Sequence, residues 1–162
     1  MRGGIAIVVL ALAACGAGSG EGLDQNGLPL GQASADACAG AGGPPAPPPP
    51  PGAPLAPTLA SIQANVFSVN CAVSGCHGGA GAQQGLRLDP GFSAGNLICV
   101  HSSQNPALIR VIPGDPDGSF IIQKLEGRPA PLLGDQMPQG GPYLDQSTID
   151  VIRQWIQDGA PQ

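Results

Sequence analysis

The chain has 162 residues and a net charge of -5, with 10% of residues charged and 3% aromatic. Its six basic residues are scattered, so no basic stripe can displace counterions from nucleic acid, and that partner class is excluded. Gly (26) and Pro (19) far exceed their usual share and crowd the region before Pro57, dividing the chain into a low-complexity front and a denser back.

Residues 1–14 read as a targeting signal. Arg2 gives a positive start, and residues 5–14 form an apolar run too short to span a bilayer, which needs roughly 20 residues. The run ends in Leu12-Ala13-Ala14-Cys15, which resembles the lipobox of bacterial lipoproteins. That resemblance implies lipidation at Cys15, with the membrane reached through an N-terminal lipid anchor and no transmembrane helix. Gly16 follows Cys15, and by the same resemblance this favours the outer membrane, facing the periplasm. Residues 15–57 are Gly, Ala, Ser and Pro with few apolar side chains. They bury too little to offset ordering entropy and predict a disordered spacer, with the Pro44 to Pro51 run extended.

Residues 58–162 predict the folded domain. Thr58 is a helix N-cap candidate, and Leu59, Ile62, Val66 and Val69 follow on one helical face that runs into Cys71. A short helix is expected at about residues 119–125. The closing helix is expected from the capping-box form Ser147-Thr148-Ile149-Asp150. Ile149, Ile152 and Ile156 line one face with Trp155 beside them, and Gly159 ends it. The stretches between are loop-rich. These apolar side chains are few for a domain of this size, which leaves room for a large apolar group in the middle.

Cys71-Ala72-Val73-Ser74-Gly75-Cys76-His77 carries the chemistry. In C-x-x-C-H, two thiols attach haem c and the adjacent His ligates its iron. Here four residues separate the cysteines, and Ser74-Gly75 permit the extra bend. Two other readings compete: a local Cys71–Cys76 disulfide, and a zinc or copper site that lacks an evident fourth ligand. Met137 is the only methionine besides Met1 and lies in a Gly/Pro-rich loop. It is the candidate sixth ligand, with His101 as its rival. Setting aside Cys15, Cys71 and Cys76 leaves Cys38 and Cys99, either two free thiols or a disulfide pinning the spacer to the domain.

Several pieces recur together: Cys76-His77-Gly78-Gly79, Leu86-Arg87-Leu88, Val111-Ile112-Pro113-Gly114-Asp115-Pro116 with Ser119, Lys124-Leu125, Met137-Pro138, and Trp155-Ile156 with Gly159-Ala160. From about Ile62 to Ala160 the chain resembles bacterial cytochrome c domains, close to the planctomycete-type and myxobacterial ones. The resemblance implies a mostly α, cytochrome c-like, loop-rich domain wrapped around one covalent haem c, its first and last helices crossing beside the haem edge. It implies attachment at Cys71 and Cys76, with His77 and Met137 as the axial metal ligands. Six-coordinate iron has no open position. The expected role is therefore electron transfer with redox partner proteins, and not enzymatic catalysis. The alternatives are a non-redox exported lipoprotein, an interaction module in which Cys71–Cys76 is a structural disulfide, and a haem enzyme of peroxidase type, which would require a labile sixth ligand.

Overall fold

The computed structural model describes residues 37–39, 47–50, 52–128 and 134–162. The expected signal segment, Cys15 and most of the spacer lie outside these. Among the described residues the fold is mostly helical and contains no strand. Three isolated bridges pair Ile98 with Val111, His101 with Ile109, and Ile112 with Asp115.

Helix α1 begins as an α-helical turn, Leu59–Ile62, and continues without a break as a π-helical stretch, Gln63–Cys71. Thr58 caps it as expected, its side chain accepting the Ser61 N–H at 3.2 Å. The expected apolar face holds for Ile62 and Val66, which are buried, but Val69 is 62% exposed and Phe67 takes its place inside. The winding is the reason. Backbone bonds of the i→i+5 kind, such as Ala72 N–H to Phe67 O at 2.7 Å, put more residues in each turn than the usual 3.6. The inward face therefore drifts along the sequence and no longer follows the α-helical spacing.

Helix α2, Ser93–Leu97, has no counterpart in the sequence expectations. It is tied to α1 through polar side chains. Ser93 Oγ donates to Gln63 Oε1 and to Leu88 O at 3.1 Å, and Gln63 Nε2 donates to the same carbonyl at 2.9 Å. Helix α3, Phe120–Glu126, matches the expected short helix, shifted by one residue, and Gly127 ends it in the left-handed conformation.

Helix α4, Gln146–Gln157, starts earlier than the capping-box pattern indicates. Asp145 is the cap, its Oδ1 accepting the Thr148 N–H at 2.8 Å, and Ser147 turns its hydroxyl to the same carboxylate. Asp is as good an N-cap as Ser, and here it precedes the Ser-Thr pair. Ile149, Ile152, Trp155 and Ile156 are buried as expected, and Gly159 follows the helix with φ +93°.

The core gathers α1, α3 and α4 around Trp155, with Leu88, Leu97 and Val111 from the intervening segments. The chain thus builds a continuous apolar core from its own side chains, more than the sparse composition indicates. Arg153 on α4 reaches Glu126 at the end of α3 (3.1 Å) and Asp117 (2.6 Å), while Arg128 also pairs with Asp117 at 2.9 Å. Exposed pairs of this kind stabilise little, but here they fix where α4 lies against α3. The spacer is held at a second point, because Cys38 and Cys99 form a disulfide 61 residues apart in sequence.

Candidate functional site

The π-helical end of α1 delivers Cys71 to a tight loop. Within it the His77 N–H donates to Cys71 O at 3.1 Å and the Cys76 N–H to Val73 O at 3.1 Å. Gly75 has φ +82°, so the expected bend at Ser74-Gly75 is present. Gly78 closes the loop at a place where only glycine fits. A Cβ there would lie 2.5 Å from Ala72 O, a backbone atom that cannot move aside cheaply. Beyond the loop, Asp89 accepts the Gly79 N–H at 2.8 Å, and Arg87 pairs with the same carboxylate while stacking over the Phe92 ring. The Arg87 hydrogen bond, followed by that of Gly79, holds the Asp89 carboxyl below the usual carboxylate range.

Cys71, Cys76, His77 and Met137 all line one cavity of about 740 Å³. Val66 and Phe67 of α1 and Ile152 of α4 face the same space, together with Leu86, Leu97 and Leu125. Met137 is half-buried and packs on the core; its N–H donates to Lys124 O at 2.9 Å. His101 is exposed and does not line this cavity; its Nδ1 lies 2.7 Å from Pro106 O.

His77 Nδ1 lies 3.1 Å from Leu86 O. That carbonyl can only accept, so Nδ1 carries the proton and Nε2 keeps its lone pair. Burial lowers the His77 pKa, against the pull of the backbone carbonyls, and the positive charges of Arg110 and Lys124 lower it further. The ring is neutral at pH 7. Burial, aided by the neighbouring Cys76, pushes the Cys71 thiol up to about 11.

The expectation of one covalent haem c per chain is corrected here. Cys71 and Cys76 are free thiols. Among the described residues no group of three or more His, Cys, Asp or Glu side chains could hold a metal ion. The physical reason is the layout: Cys71, Cys76 and His77 belong to the wall of a wide cavity and do not converge with a further ligand on one point.

The two thiols differ in a measurable way. A thiol with a pKa of about 11 is roughly 0.1% thiolate at pH 8. Iodoacetamide at pH 8, without reductant, should alkylate the exposed Cys76 at least about tenfold faster than Cys71, as read by peptide mass mapping. Equal rates at the two positions would contradict the buried placement of Cys71.

Arg110 was not foreseen as part of the site. It lines the cavity, is only 7% exposed, and is held entirely by backbone carbonyls: Asn96 O at 2.8 Å, Gln84 O at 2.9 Å and Gly85 O at 3.4 Å. Burial lowers its pKa from the ordinary arginine value. Nothing in the sequence near Arg110 signals this, because its partners lie 14 to 26 residues away and are main-chain atoms.

No protein-family model matches the chain, and comparison with curated proteins and with solved structures found no match.

Proposed function

We propose that the chain is an exported, lipid-anchored electron-transfer protein whose working part is the cavity walled by Cys71, Cys76, His77 and Met137. One observation carries this reading. Two thiols and a neutral imidazole from one loop, and a thioether 60 residues further along the chain, meet on one largely apolar cavity. Such a cavity has room for an organic redox-active molecule, held by packing against polarisable sulfur and apolar side chains and not by metal ligation. Asp135 is the only carboxylate on the lining. Cys76 and Val73 are exposed and lie on the rim, leaving an edge through which electrons pass to partner proteins. The Leu12-Ala13-Ala14-Cys15 sequence supports lipidation at Cys15 and residence in the outer membrane, facing the periplasm.

The test uses the full chain purified from an exporting host. Voltammetry on an electrode should show a reversible wave, and intact mass before and after denaturation should identify the group that carries the electron. An electrochemically silent protein in which Cys71 and Cys76 are joined to each other would overturn this reading and favour the non-redox interaction module.

A further inference from the structure

We infer that the cavity receives a ligand with an anionic group, and that Arg110 is the residue that takes it. This deepens the proposed function and rests on the cavity being a binding site. A guanidinium has five N–H donors, and three of those on Arg110 go to the carbonyls of Asn96, Gln84 and Gly85. Among the described residues no carboxylate pairs with it, although it is 93% buried on the 7% exposure of the residue. Burying a cation without a counter-charge is costly, and neutral carbonyl dipoles offset only part of that cost.

The carbonyls do fix the orientation of the fork. They come from the turn at Gln83–Gly85 and from α2, so two separate segments hold one side chain against the cavity wall. Lys124 lines the same cavity, its Nζ donating to Asp135 O at 2.6 Å. Both cations are near enough to His77 to oppose its protonation. Asp135 also lines the wall, on the Lys124 side, so the cation that faces no carboxylate among the described residues is Arg110, while Leu86, Leu97, Leu125 and Phe67 make much of the remaining lining apolar. The occupant that fits is an amphiphile: an apolar body of cavity size carrying a carboxylate or similar oxyanion, which the planar guanidinium grips by two parallel hydrogen bonds.

Two dyes of nearly the same shape test this on the full chain. Anilinonaphthalene sulfonate carries an anion, and N-phenylnaphthylamine is its neutral counterpart. The sulfonate should bind about tenfold or more tightly than the neutral dye, the increment of a charge-assisted hydrogen bond. Arg110→Gln should weaken the sulfonate alone and erase the preference, and Arg110→Lys should retain part of it. Should Arg110→Gln fail to fold, the wild type still decides: the Arg110 Nε–H resonance should move with the sulfonate and stay still with the neutral dye. Equal affinities in the wild type, or an unmoved resonance, would overturn the anion site. A reversible electrode wave from a protein without the preference removes this inference alone. The preference in an electrochemically silent protein removes the electron-transfer reading alone.

Discussion

Trp155→Ala should lower the free energy of unfolding by about 3–5 kcal/mol. The side chain is completely buried at the centre of the core, and its Nε1–H donates to Pro161 O at 2.9 Å. Truncation removes the apolar contact, leaves a cavity that the surrounding isoleucines of α4 cannot fill, and frees the C-terminal residues that the indole anchors. A domain of this size has on the order of 5–15 kcal/mol to lose, so the variant should be partly unfolded or close to it. Urea denaturation followed by far-ultraviolet circular dichroism measures the change. Fluorescence cannot be used, because Trp155 is the only tryptophan. A loss below about 1 kcal/mol would mean that α4 is not part of the cooperative core.

Cys38→Ser should cost about 2–4 kcal/mol under non-reducing conditions. The Cys38–Cys99 bond closes a 61-residue loop in the unfolded chain. Loop-closure entropy for that length sets an upper figure of about 4 kcal/mol. The folded state returns part of it, because the segment between Cys38 and Thr58 must also be closed there. Wild type in reductant should melt at the same temperature as the variant. An unchanged midpoint in Cys38→Ser would show that the bond does not bear on the folded domain.

How legible the molecule was in its sequence varies with the kind of interaction. The start of α1 and the buried face of α4 follow from Thr58 and from Ile149, Ile152 and Ile156, and α3 falls within one residue of the short helix expected at about 119–125. These are local patterns, and local patterns are what a sequence displays directly. The π winding of α1 escaped because apolar spacing is read against an α-helical period; Val69 was placed inside and Phe67 was not singled out. The Asp145 cap escaped because two adjacent cap-forming residues drew attention first. At the site, Cys71, Cys76, His77 and Met137 were singled out as attachment points and ligands of a haem, and in the structure they line one cavity. Reading that wall as a haem centre went further than the structure does. Arg110 was invisible for a different reason. A cation held by main-chain carbonyls has no partner side chain to betray it, and only the folded backbone brings those carbonyls together.

The disulfide also sets a length. In the chain proposed to be acylated at Cys15, 23 residues separate the lipid from Cys38, against 43 from Thr58. Fully extended, these spans reach at most about 80 Å and about 150 Å. The bond therefore roughly halves the greatest distance at which the domain can sit from the lipid, and its point of attachment becomes Cys99, whose N–H donates to Val111 O, one residue from Arg110. Cutting the bond would let the same domain roam a volume several-fold larger. Its local concentration, as felt by a neighbour in the same bilayer, would fall by the same factor with no contact in the cavity altered.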